Sequence, residues 1–157
     1  MIDKFARYLQ YEEIVTPVLN SEILDSINEI KTNFFQSDRL RHFGISPFSK
    51  ILFSGQSGCG KNLVAGHLAQ EMKLKFFQTK PEAFIGTPKE IFENLRTILE
   101  AASKTSNYLL YVEDYSESLN LYNRPKDWLG LLLEEYNLQH SIIIVEESNV
   151  NYYNKFK

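Results

Sequence analysis

Eight consecutive residues constrain this chain more than any others: Gly55-Gln56-Ser57-Gly58-Cys59-Gly60-Lys61-Asn62, a glycine, four residues, then Gly-Lys. The run stands between a short apolar stretch, Ile51-Leu52-Phe53, and a helical pattern through Leu63, Val64, Leu68 and Met72. Glycines there let successive backbone N–H groups turn toward one point, the helix N-terminus adds partial positive charge, and the lysine adds a full one. Such a loop, residues 55–63, implies a phosphate-bearing ligand of the ATP or ADP type. A glycine-rich turn that merely caps a helix is the plain alternative, and the strand before and helix after weigh against it. Asn62 stands where the motif normally has a Ser or Thr hydroxyl for Mg2+, and its longer amide offers a carbonyl oxygen only with shifted geometry. Cys59 reads either as a thiol poised at a helix N-terminus or as a small side chain at a variable loop position, and the second is favoured.

The rest of the chain sets a frame for that loop. With 157 residues, 43% hydrophobic and 24% charged, one globular domain is expected. Apolar runs such as Leu109-Leu110-Tyr111-Val112 and Ile142-Ile143-Ile144-Val145 are far shorter than the ~20 residues that span a bilayer. No membrane segment and no secretory leader is read, so a cytoplasmic location is the expectation. The single cysteine forms no intrachain disulfide, and a formal charge of −3 exerts no net pull on nucleic acid.

Ile23, Ile27, Ile30 and Phe34 recur at helical spacing and predict a helix from near Asn20 or Ser21, ending before Gly44 and Pro47. Ahead of it Phe5, Tyr8 and Leu9 suggest a shorter helix interrupted at Pro17. Strands are predicted at 51–53, 74–78, 108–112 and 141–145. Thr87-Pro88-Lys89-Glu90 is a complete helix start, followed by the stripe Ile91, Leu95, Ile98, Leu99 and Ala102; a third core helix is predicted over 128–136. Short apolar strands alternating with helices predict an α/β fold of three layers around a parallel sheet of about four strands. The organisation expected is a helical segment and linker over 1–46 and a nucleotide-binding core over 47–157.

Glu113 and Asp114 follow the strand Tyr108-Leu109-Leu110-Tyr111-Val112 directly, at the sheet edge that also carries the phosphate loop. Phosphate-loop ATPases place an acidic pair there, Asp then Glu, one for the metal and one for the attacking water. Here the order is inverted. Glu113 is the candidate metal ligand together with Asn62, and Asp114 is the shorter candidate base. The strand Ser141-Ile142-Ile143-Ile144-Val145 ends in Glu146-Glu147-Ser148-Asn149, and Asn149 is the candidate for positioning water at the terminal phosphate. A turn-forming asparagine is its plain alternative.

Taken together, ILFSGQSGCGKNLVAGHLAQEM, KFFQTKPEAFIGTPKEIFENL, YLLYVED and SIIIVEESN resemble the core of the AAA-type ATPases over roughly residues 20–150. The resemblance implies ATP or ADP with Mg2+ as cofactors, a sheet ordered 5-1-4-3-2, and a sensor role for Asn149. It also implies a pore-loop role for Phe84, Ile85 and Gly86 in gripping a polypeptide client. The family's fifth strand, arginine finger and helical lid are not visible, and Arg124 lies too early for the finger. The strand before the phosphate loop is then an open sheet edge, to be covered by N-terminal residues, by a partner subunit or by further chain.

Three readings follow. One is an ATP-binding AAA-type module, weakly hydrolytic, that remodels proteins or complexes and works as an oligomer or with a partner. A second is a non-hydrolysing nucleotide-binding or structural relative. A small-molecule phosphate-loop kinase is the weakest, because Gln78 and Thr79 stand where such kinases need an acid and the chain has five arginines in all.

Overall fold

The computed structural model describes residues 2–10, 13–105, 107–115 and 140–148. In chain order the elements are α1 (Ile2–Phe5), β1 (Ala6–Leu9), α2 (Ser21–Phe35), α3 (Ser37–His42), β2 (Lys50–Ser54) and α4 (Lys61–Glu71). They continue with β3 (Lys75–Thr79), a 3-10 turn (Pro81–Phe84), α5 (Pro88–Ser103), β4 (Tyr108–Val112) and β5 (Ile142–Glu147). The helix expected over 128–136, Arg124 and Asn149 lie outside the described residues.

Four strands form a parallel sheet in the order β3-β4-β5-β2, the arrangement the resemblance implies for its strands two, three, four and one. The pairing aligns Leu110 with Ile143 and Ile51 with Ile144, so the apolar runs lie side by side. Because side chains alternate across a strand, each run feeds two cores. Phe76, Leu109, Tyr111, Ile142 and Ile144 face α4 and α2, where Ala65, Leu68, Ala69, Met72 and Ile27 cover them. Phe77, Leu110, Val112 and Ile143 face α5, which supplies Ile91, Leu95, Ile98, Leu99 and Ala102. This is the three-layer architecture that the strand-helix alternation predicts.

Caps hold the helices in place. The Asn20 side chain accepts from the Ile23 N–H at 2.9 Å and starts α2. At α5 Thr87 and Glu90 cap one another, the Thr87 N–H donating to Glu90 Oε2 at 2.7 Å. That contact holds the Glu90 carboxyl below its ordinary range. Helix α2 is fastened to α4 by Lys31 and Glu71 at 2.5 Å, which lowers the Glu71 pKa.

The N-terminal segment differs from its predicted helix. Only residues 2–5 are helical, and Ala6–Leu9 forms a fifth strand, antiparallel to β3, with Tyr8 paired to Phe77 and Arg7 to Gln78. Alternation replaces helical spacing. Ala6 joins the α5-side core and Leu9 packs against the α4 side, while Arg7 donates to Gln78 Oε1 at 2.8 Å. The segment covers the β3 edge, and among the described residues β2 pairs with β5 alone.

Candidate functional site

Parallel strands joined through helices bring every loop after a strand to one edge of the sheet. The ends of β2, β4 and β5 therefore meet there. The ladder between β2 and β5 runs one residue past the strand, because the Gly55 N–H donates to the Glu147 carbonyl at 3.1 Å. From there the loop turns through Gly58 at φ +77 and Gly60 at φ +90, left-handed backbone that a side chain would strain. Gly60 is also the N-cap of the eleven-residue α4, so the unpaired N–H groups of that helix open toward the loop. Gln56, Ser57, Gly58, Cys59, Asn62 and Leu63 are exposed, Gly55 and Gly60 are half-buried, and Lys61 is buried at 7% exposure.

The buried ammonium of Lys61 has three N–H groups, and three strong acceptors surround it. It donates to the carbonyls of Gly55 and Gln56, both at 2.7 Å, and pairs with Glu146 Oε1 at 3.0 Å. Cys59 Sγ lies 3.7 Å away as a weak fourth contact. Glu146, which the sequence reading passed over in favour of Asn149, is the acid that the structure places beside Lys61. Its carboxylate collects four donors: Lys61, the Ser148 hydroxyl at 3.1 Å, the Tyr111 hydroxyl at 2.8 Å and the Asp114 N–H at 3.4 Å. Burial, then the hydrogen bond to Glu146, pushes the Tyr111 phenol far above its ordinary pKa, so it remains a donor. A signal was available, because the alternation that puts Ile142 and Ile144 on the α4 face puts Glu146 there too.

Asp114 closes the same cluster from β4. Its N–H goes to Glu146 and its Oδ2 accepts from the Ser148 N–H at 3.0 Å, so the ends of β4 and β5 are clasped. Glu113 belongs to a second cluster, directed toward β3. Glu113 Oε2 accepts from Gln78 Nε2 at 2.6 Å and lies 2.8 Å from the Tyr115 hydroxyl, while the Glu113 N–H donates to Thr79 Oγ1 at 3.0 Å. Burial and that carboxylate raise the Tyr115 pKa well above the phenol range. Gln78 in turn accepts from Arg7, so the N-terminal strand reaches the acidic pair through one amide.

Asn62 and Glu113, the expected metal pair, are not joined by any hydrogen bond. Asn62 Oδ1 instead accepts from the Leu63 N–H at 2.8 Å. Among the described residues no group of three or more His, Cys, Asp and Glu side chains is arranged to hold a metal ion. A nucleotide-borne Mg2+ makes a smaller demand, one or two carboxylates plus phosphate and water oxygens, and the acids at this edge fit that donor set. Of the expected pore-loop triplet, Phe84 is buried against Tyr115 with ring centroids 5.3 Å apart, and Gly86 turns at φ +123. Ile85 is 59% exposed.

The mixed α/β fold with its mostly parallel sheet is consistent with that of the phosphate-loop NTPases. Residues 51–124 match the family described as "ATPase family associated with various cellular activities (AAA)". A similar protein is the uncharacterized AAA family ATPase y4kL of Sinorhizobium fredii, 36% identical over 81 residues, which are 51% of this chain and 24% of that protein. Both matches point to the AAA-type phosphate-loop ATPases as what this chain is similar to, and the chain spans about a quarter of that relative's length. Among the described residues no helix is long and apolar enough to cross a membrane.

Proposed function

We propose that the chain binds ATP or ADP at residues 55–63 and acts as an AAA-type module in remodelling a protein or complex, with slow hydrolysis. The observation that carries this reading is Lys61, a buried cation at the mouth of an eleven-residue helix behind two left-handed glycines. Phosphate oxygens arriving there meet convergent N–H groups, the helix dipole and one ammonium. Mg2+ would neutralise phosphate charge, held by the nucleotide itself with Glu113 and Asn62 as the protein's contribution. Asp114 is the candidate base and Asn149 the candidate water-orienting amide.

Slow turnover follows from how these groups are engaged. The Asp114 carboxylate is tied to the Ser148 N–H and is one methylene shorter than the usual base, while Glu113 is drawn toward Gln78. Those engagements also favour the second reading, a nucleotide-dependent scaffold that does not hydrolyse. An arginine for the transition state would come from a neighbouring subunit or partner, in the cytoplasm, with Ile85 as the client-facing residue. The kinase reading loses support, since Gln78 bridges Arg7 and Glu113 instead of facing a substrate.

Calorimetric titration of ATP into wild type and Lys61→Ala tests the reading. The variant is expected to bind more weakly by about 1–3 kcal/mol, the range for lost charge-assisted hydrogen bonds. Equal affinities would remove the loop from the account.

A further inference from the structure

We infer that Glu146 is an internal counter-anion that nucleotide phosphate must displace from Lys61, so that this carboxylate sets the affinity of the loop. The inference rests on the nucleotide-binding reading and adds a residue to it. The Lys61 ammonium is already engaged: it donates to the loop's own carbonyls at 2.7 Å and forms an ion pair with Glu146 at 3.0 Å. The carbonyl contacts are local, but Glu146 comes from a different strand. It is fixed beside Phe53 in the β2–β5 register, two residues before the loop begins.

The carboxylate does not depend on Lys61 alone. Tyr111, Ser148 and the Asp114 N–H still hold it when the lysine turns away. The moving part is therefore the lysine, and the charge it leaves behind stays beside the phosphates. Both side chains are nearly dry, 7% and 10% exposed, so that like charge is weakly screened. A ligand that needs a free Lys61 binds with its intrinsic affinity multiplied by the fraction of molecules in which the lysine is released. If the pair is closed nine times in ten, that reduction is about tenfold.

Glu146→Gln tests this, because the amide keeps the shape and removes the charge. Binding of ADP, in chelator so that no metal bridges the carboxylate and phosphate, is measured by calorimetry for wild type, Glu146→Gln, Glu146→Ala and Lys61→Ala. Thermal midpoints without nucleotide are recorded in parallel. The inference expects Glu146→Gln to bind about tenfold more tightly while melting lower, and Glu146→Ala to shift in the same two directions. A merely structural carboxylate moves both quantities the same way, since loosening the strand end also weakens the site. Binding to Glu146→Gln alone, with wild type silent, supports the inference in its strong form. Measurable wild-type binding that the two Glu146 variants leave equal or weaken overturns it and leaves the nucleotide reading standing. Silence from wild type and both Glu146 variants overturns the nucleotide reading, and this inference with it.

Discussion

Replacing Lys61 by methionine removes one cation and leaves its partner in place. Glu146 is then 10% exposed with its Ser148, Tyr111 and Asp114 donors but no positive charge. Breaking a buried pair from one side costs about 3–5 kcal/mol, most of it from the uncompensated charge. The three remaining donors offset part of that, so the expectation for Lys61→Met is the lower end, about 3 kcal/mol. Glu146→Gln is milder, because Lys61 keeps two carbonyl acceptors at 2.7 Å and the amide oxygen can replace one carboxylate oxygen. The double variant buries no charge at this point, and its stability is expected within about 1–2 kcal/mol of wild type. Urea unfolding of the four proteins gives the coupling energy, expected at about 2 kcal/mol within the range for directly interacting groups. Additive losses, with the double variant weakest of all, would refute the ion pair as the organising contact of the loop.

Thr87→Ala is expected to destabilise the protein by about 0.5–2 kcal/mol through loss of the α5 cap, read by thermal unfolding. The Glu90 partner of that cap has its carboxyl lowered in the folded chain, so its contribution is complete above the ordinary value of 4.5 and is lost as pH falls through the lowered folded value. The wild-type advantage over Thr87→Ala should shrink in that acid window, and a pH-independent difference would contradict the capping box. Ile144→Ala empties a fully buried site on the interior strand β5 and should cost about 2–5 kcal/mol in denaturant unfolding; a loss under 1 kcal/mol would mean that the α4-side core closes over the gap. The exposed Cys59, 3.7 Å from Lys61 Nζ, is expected to be alkylated more slowly when ADP is bound. An unchanged labelling rate would count against nucleotide in the loop.

The parallel core is legible in the sequence because its signals are local and agree with one another. Buried apolar runs, the Thr87-Pro88-Lys89-Glu90 start and the Gly-Lys loop each fix a short stretch of backbone, and the sheet follows from their alternation. The first strand is not local in this sense. Ala6–Leu9 is held by Gln78 and by the Lys80 N–H on the Phe5 carbonyl at 2.7 Å, some seventy residues away in sequence. Four residues with Phe5, Tyr8 and Leu9 nearby carry helical and strand spacing equally well, and pairing to the sheet edge decides between them. At the site, the loop, Glu113 and Asp114 were readable as polar residues at strand ends. For Glu146 the alternation gave the face of the strand but not the partner, because its contact with Lys61 depends on β2 and β5 being neighbours, and strand order determines which ends touch. The burial of Phe84 was not readable for a related reason: its ring packs into the α5-side core beside Tyr115, a residue after β4.

The central claim is that residues 55–63 form the phosphate site, and amide chemical shifts test it most directly. Titrating ADP into isotope-labelled protein should shift the backbone N–H resonances of Gly58, Cys59, Gly60, Lys61 and Asn62 first and most, in a single saturable phase. Lys61→Ala should reduce the response. Shifts that centre elsewhere, or none at millimolar ADP with the protein folded, would contradict the account.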